Sequence, residues 1–146
     1  MTASGHPFID PVKTLLWIEP DEKFRAHVKT HLEQTGRFRL LANGDEATAH
    51  ATLRANPRID LILSDHRAIL GNEAIASTAL RMGIPIIIVT DTFSEAVRAL
   101  RYYAMKIPVV KKPIAVEKIL ALIDHILNGR PLPASPVLAA WWGEES

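Results

Sequence analysis

Residues 84–90 read Ile-Pro-Ile-Ile-Ile-Val-Thr, and this stretch carries the strongest strand signal in the chain. It is continuously apolar rather than alternating, which is typical of a strand buried on both faces of a sheet. Residues 60–64, Asp-Leu-Ile-Leu-Ser, form a second run of the same kind. Strands of this type belong to parallel sheets that helices cover on both sides, so the pattern predicts an α/β fold.

A regular alternation of short apolar runs and longer helical stretches continues on both sides of these two strands. Further strands are predicted over residues 14–18, 38–41 and 107–110. Helical spacing predicts helices around Phe24, Val28 and Leu32, and over residues 45–55, 72–82, 94–105 and 116–127. Five βα units predict a flavodoxin-like, doubly wound (βα)5 three-layer sandwich with a parallel sheet in the order 2-1-3-4-5.

These units divide the chain into one domain and two flanking segments. The predicted domain covers residues 13–128, and residues 1–12 form an N-terminal extension. Residues 129–146 form a proline-rich tail that ends near Trp141-Trp142. Two adjacent tryptophans are poorly explained by exposure to solvent, so we expect the tail to dock on its own domain or on a second subunit.

Composition narrows the class of protein. The 146 residues are 48% hydrophobic and include no cysteine, which excludes a disulfide scaffold and thiolate zinc sites. Seventeen basic residues against sixteen acidic residues give a formal charge of +1, which supplies no electrostatic reason to expect a nucleic acid or an anionic membrane as partner. No secretory signal is recognisable at the start, so a cytoplasmic protein is expected.

Chemistry-bearing residues follow four of the predicted strands. Glu19 and Asp21 come after the first, Asp65 after the third, Thr90 ends the fourth and Lys112 follows the fifth. Ligands of doubly wound sheets bind at the carboxyl ends of the central strands, so these side chains are expected to converge. A carboxylate can attack a phosphoryl group, carboxylates can hold a hard cation, and lysine and threonine can bind the transferred oxygens.

In this order the motifs resemble the receiver domain of two-component response regulators, over nearly all of residues 13–128. Asp65 closes Asp-Leu-Ile-Leu-Ser-Asp and resembles the phospho-accepting aspartate of that family. Thr90 closes the strand quoted above and resembles the switch threonine. Lys112, within Lys-Lys-Pro, resembles the phosphate-binding lysine.

The resemblance also implies a Mg²⁺ site, formed by Glu19, Asp21, Asp65 and the backbone carbonyl of Arg67. Receivers usually carry two adjacent acidic residues after the first strand, whereas Glu19 is followed here by Pro20, which cannot coordinate a metal. By themselves, Glu19 and Asp21 fit equally well as groups that cap the following helix. An atypical site that binds Mg²⁺ weakly or not at all is therefore predicted.

Three functions remain open at this point. The first is a stand-alone, non-enzymatic receiver that accepts a phosphoryl group on Asp65 from a sensor histidine kinase or a phosphotransfer protein. The second is a degenerate receiver that acts as an interaction module without phosphorylation, which Pro20 and Asp91 favour. The third is a flavin- or nucleotide-binding domain, which ranks last because the acidic residues after the first strand would repel phosphate.

Expected partners follow from the same resemblance. Receivers use the fourth helix, the fifth strand and the fifth helix to form dimers or to bind other proteins. In this chain the corresponding predicted elements are residues 94–105, 107–110 and 116–127. A homodimer or an unknown downstream protein is expected on this face.

Overall fold

The computed structural model describes residues 12–55, 58–65, 75–91, 107–112 and 114–128. Five strands form one sheet: β1 (Lys13–Ile18), β2 (Phe38–Asn43), β3 (Leu61–Ser64), β4 (Ile86–Thr90) and β5 (Val109–Lys111). The helices in this part of the chain are α1 (Glu22–Gln34), α2 (Glu46–Ala55), α3 (Ile75–Met82) and α4 (Val116–Leu127). No helix among these residues is long and apolar enough to cross a membrane.

The sheet is parallel throughout and has the order β2-β1-β3-β4-β5. β1 is therefore central, and its neighbours on the two sides are β2 and β3. This arrangement confirms the predicted fold class and strand order. The chain reverses its winding direction between β1 and β3, which is where open α/β sheets bind ligands.

Two apolar cores cover the two faces of the sheet. Alternate residues of a strand point to opposite faces, so Leu15 and Trp17 of β1 lie in one core and Leu16 and Ile18 in the other. The first core also contains residues of α1 and α4, and the second contains residues of α2 and α3. Because both of their faces are buried, the inner strands β3 and β4 are apolar at every position except the last, as the sequence indicated.

Several strand boundaries differ from those predicted. β3 begins at Leu61 rather than at Asp60, because the Thr14 amide donates to Asp60 Oδ2 at 2.8 Å instead of to a backbone carbonyl. β4 begins at Ile86 rather than at residue 84, because Pro85 has no N–H and the Ile84 amide donates to Ala79 O at the end of α3.

The remaining boundaries shift by one or two residues. β1 gains Lys13 at its start, and β2 continues to Asn43 rather than ending at residue 41. β5 spans Val109–Lys111, so it begins later than predicted and includes Lys111. α2 begins at Glu46, one residue after the predicted start.

Local side-chain contacts fix several helix ends. Asp21 is the N-cap of α1, and its carboxylate accepts from the Phe24 amide at 3.1 Å. The Thr48 amide donates to Asp45 Oδ1 at 2.8 Å just before α2, and this bond lowers the pKa of Asp45. Gly36 and Gly83 follow α1 and α3 with φ of 74° and 70°, a region that favours glycine.

A polar contact ties the end of α1 to β2. Glu33 accepts from Lys29 Nζ at 2.8 Å and from the Leu40 amide at 3.0 Å. These two donors hold the pKa of Glu33 below its ordinary value, the lysine being the larger cause. The contact fixes the register between the helix and the edge strand.

Three predicted features lie outside the described residues. They are the helix over residues 94–105, the extension except for Val12, and the tail with Trp141-Trp142. α4 therefore corresponds to the fifth predicted helix.

Candidate functional site

The carboxyl ends of the strands are joined by hydrogen bonds that continue the sheet by one residue. Ile18 lies opposite Ser64, and the next amide, that of Asp65, donates to Ile18 O at 3.2 Å. At the other side of the sheet the Lys112 amide donates to Thr90 O at 2.8 Å. The backbone thus holds Glu19, Asp65, Thr90 and Lys112 at one edge.

The polar side chains at this edge are buried, unlike those of an ordinary solvent-exposed surface. Among the described residues, the buried polar or charged side chains are four, namely Glu19, Ser64, Asp65 and Thr90. Each of the four either ends a strand or directly follows one. Asp65 is only 5% exposed and Thr90 is fully buried. Buried polar groups are unfavourable without partners, so their concentration here makes this edge the candidate functional site.

Glu19 and Lys112 form an ion pair across this edge. Lys112 Nζ lies 2.7 Å from Glu19 Oε1, and the Glu19 side chain is only 1% exposed. The contact is a close ion pair without the alignment of a hydrogen bond. The other carboxylate oxygen, Oε2, accepts from the Asp21 amide at 3.0 Å. A buried carboxylate needs such compensation, and the lysine supplies the positive charge.

Aromatic residues support the lysine from α1. Lys112 Nζ lies 4.8 Å from the centroid of the Phe24 ring, within the range of a cation–π contact. Phe24 in turn packs edge-on against Trp17, with ring centroids 5.7 Å apart. The Trp17 indole N–H donates to Arg25 O at 3.1 Å, which fixes the start of α1 relative to β1.

Arg25 is a site residue that the sequence did not reveal. Its Nη1 donates to Glu19 O at 2.6 Å. A Cβ at Gly44 would lie 2.8 Å from the same nitrogen, so glycine leaves the space that the guanidinium uses. The spacing of Phe24, Val28 and Leu32 predicted the buried face of α1, but no motif marked Arg25, because its partner is a backbone carbonyl.

The residues predicted to bind Mg²⁺ fall into three groups. Glu19 is engaged by Lys112, and Asp21 caps α1, which matches the alternative interpretation of Asp21. Asp65 is buried at the end of β3. Arg67, with the neighbouring His66, lies outside the described residues.

In the arrangement that the structure shows, Glu19, Asp21 and Asp65 do not form a site that fits a metal ion. Within the described ranges, no group of three or more His, Asp or Glu side chains could hold one. Mg²⁺ requires near-octahedral oxygen coordination, whereas the Glu19 carboxylate and carbonyl already have a lysine and an arginine as partners.

Solved receiver domains share this fold. The non-phosphorylated HemR receiver domain from Leptospira biflexa matches with a TM-score of 0.67 at 22% identity, over 83% of this chain and 99% of that chain. A response regulator receiver domain protein from Clostridium thermocellum matches with a TM-score of 0.69 at 17% identity, over 80% of this chain and 95% of that chain. The receiver domain of the hybrid histidine kinase CckA matches with a TM-score of 0.58 at 18% identity, over 78% of this chain and 98% of that chain.

These likenesses show that the chain has the fold of response regulator receiver domains, as the motifs predicted. No protein-family model matches the chain, and no curated protein matches it. Structural likeness therefore establishes the fold of this chain.

Proposed function

We propose that this chain is a receiver-type signalling domain that accepts a phosphoryl group on Asp65. The observation that carries the proposal is the confinement of the buried polar side chains of the described residues to the carboxyl edge of the sheet. Asp65 lies at the switch point beside β1, where this class of fold places its reactive groups.

The chemistry assigns one role to each of three residues. An Asp65 carboxylate oxygen attacks the phosphorus of a phosphohistidine, the P–N bond breaks, and the departing imidazole takes up a proton. The product is an acyl phosphate on Asp65. Lys112 then leaves Glu19 and neutralises the transferred oxygens, while the Thr90 hydroxyl binds one of them.

The proposed donor is a sensor histidine kinase or a phosphotransfer protein, in keeping with a receiver fold that also occurs in the hybrid histidine kinase CckA. The domain is the acceptor in this reaction and signals through protein contacts rather than as an enzyme. The output face includes β5 and α4, and it meets a second copy or a downstream protein; residues 94–105, which the resemblance adds to this face, lie outside the described residues.

A second function, an interaction module without phosphorylation, is favoured by the Glu19–Lys112 ion pair. Lys112 is already bound to a buried carboxylate, so it is not poised to receive an incoming phosphoryl group. The described carboxylates also form no group of three that could hold a cation. In this alternative the polar edge of the sheet has lost the ability to accept a phosphoryl group, and the output face binds its partner without phosphorylation.

Phosphorylation by a small donor separates the two functions. The full chain is incubated with acetyl phosphate over a range of Mg²⁺ concentrations, and its intact mass is measured. The first function predicts the gain of one phosphoryl group, which Asp65→Asn abolishes. Asp45→Asn is the matched control, because Asp45 is an exposed carboxylate just before α2, where asparagine can replace its capping contact, and it should leave the gain intact.

The opposite result is equally informative. A wild-type chain that gains no mass at any Mg²⁺ concentration, while remaining folded by circular dichroism, contradicts phosphoryl transfer and supports the interaction module.

A further inference from the structure

We propose that the Lys112 ammonium takes the place of a divalent cation at Glu19, so that cation binding requires Lys112 to be displaced. The inference concerns the resting site, and it holds whether or not Asp65 accepts a phosphoryl group. It accounts for how the chain keeps a buried carboxylate next to Pro20, where a second acidic residue is missing.

The first argument is the charge balance of Glu19. Its side chain is 1% exposed, and its ionised form has to be compensated by a positive charge and by hydrogen bonds. The ammonium of Lys112 lies 2.7 Å from Oε1, and the Asp21 amide donates to Oε2. Both carboxylate oxygens are therefore engaged without any metal ion.

The second argument is that Lys112 is held in place rather than loosely paired. Its backbone is fixed by the bond to Thr90 O, and its side chain is only 18% exposed. The Phe24 ring lies beneath the ammonium, and that ring is itself packed on the fully buried Trp17. A long side chain held at both ends loses little further entropy by remaining there, which favours the resting pair.

The third argument concerns the other oxygens near Glu19. Its carbonyl accepts from Arg25 at 2.6 Å, and the Asp21 carboxylate accepts from the Phe24 amide. A cation at Glu19 would thus stand among oxygens that already have donors, close to two positively charged side chains. A cation bound to the Glu19 carboxylate would lie next to the Lys112 ammonium, and neighbouring like charges repel strongly. The cation and Lys112 therefore compete for Glu19.

Binding of Mn²⁺ to the full chain tests the competition directly, with the free ion measured by electron paramagnetic resonance. Removing the adjacent positive charge in Lys112→Met is expected to tighten Mn²⁺ binding by about tenfold or more. The matched control is Lys111→Met, which removes the same charge from the exposed neighbouring residue and should change the affinity by less than about twofold.

A double variant shows which carboxylate is responsible. Adding Glu19→Gln to Lys112→Met is expected to return Mn²⁺ binding to the weak wild-type level, since Glu19 is the group released. Added Mn²⁺ should also raise the melting temperature of Lys112→Met, but not that of Lys111→Met, because a ligand stabilises only the form it binds.

The proposal is overturned if Lys112→Met binds Mn²⁺ no more tightly than Lys111→Met, or if the double variant keeps the gain. If Lys112→Met does not fold, Mn²⁺ binding is measured on Lys112→Gln instead, with the same expected result. The acetyl phosphate result does not enter this comparison, so failure of phosphoryl transfer and failure of the competition are distinguishable.

Discussion

Positions within β3 and positions at its carboxyl end are equally buried but chemically opposite. Leu61, Ile62 and Leu63 are fully buried and apolar, whereas Ser64 and Asp65, the next two residues, are buried at 0% and 5% exposure and polar. Burial alone therefore does not distinguish the interior of the sheet from its edge. Packing accounts for the interior residues, whereas it would disfavour the polar groups at the edge, for which the proposed role of Asp65 supplies a reason.

The largest effect on stability is expected in the interior. Leu63→Ala removes a fully buried side chain of the central core and should lower the free energy of unfolding by about 3–4 kcal/mol, through lost burial and a residual cavity. Urea unfolding followed by circular dichroism measures the loss. Leu80→Ala is the control, since Leu80 is 40% exposed and should change stability by less than about 0.5 kcal/mol.

Equal losses for Leu63→Ala and Leu80→Ala would remove the distinction between interior and surface on which the comparison rests.

A smaller loss is expected at the edge when one partner of the ion pair is removed. Lys112→Met leaves Glu19 buried without its counter-ion and should lower the free energy of unfolding by about 3 kcal/mol. The double variant Glu19→Gln/Lys112→Met should recover part of this loss, because no uncompensated charge remains. Denaturant unfolding of the wild type, of Lys112→Met, of Glu19→Gln and of the double variant measures the coupling, and Lys111→Met is the control.

A double variant that is as unstable as the sum of its two single variants would show that Glu19 and Lys112 do not interact.

The smallest effect, and one of opposite sign, is expected at Ser64. Its hydroxyl is buried and has no hydrogen-bond partner among the described residues. Ser64→Ala should therefore leave stability unchanged or raise it by about 1 kcal/mol, because a desolvated polar atom is removed. Thermal unfolding of the variant measures the change. A clear loss would mean that Ser64 serves packing in the way the interior residues do.

The fold was predictable because its signals are local and repeated. Continuous apolar runs such as residues 84–90 require burial on both faces, and five short strands that alternate with helical spacing leave few topologies other than the doubly wound sheet. Boundaries were less predictable. The run at residues 60–64 predicts that Asp60 belongs to β3, but its side chain accepts the bond that a strand carbonyl would have taken, and no property of residue 60 alone indicates this.

The position of these polar residues at one edge of the sheet was predictable, whereas their pairing was not. Order along the chain and position after a strand were sufficient to select Glu19, Asp65, Thr90 and Lys112, because parallel strands bring their carboxyl ends to one edge. The role of Asp65 and the binding of Mg²⁺ stay predictions.

The contacts of Lys112 required three dimensions. No sequence motif indicates which carboxylate it meets, whereas in the structure its ammonium lies 2.7 Å from Glu19 Oε1 and 4.8 Å from the centroid of the Phe24 ring. The same is true of Arg25, whose target is a carbonyl oxygen that carries no sequence signature.

By itself, the sequence determined the fold class, the strand order and the edge at which the polar residues gather, because these depend on hydrophobic patterning and chain connectivity. Only the tertiary structure decided that Glu19 is neutralised by Lys112, that Asp21 caps α1 and that Arg25 occupies the space above Gly44. Those outcomes depend on side-chain reach, burial and competing partners within a few ångströms, which are set only when distant segments pack together.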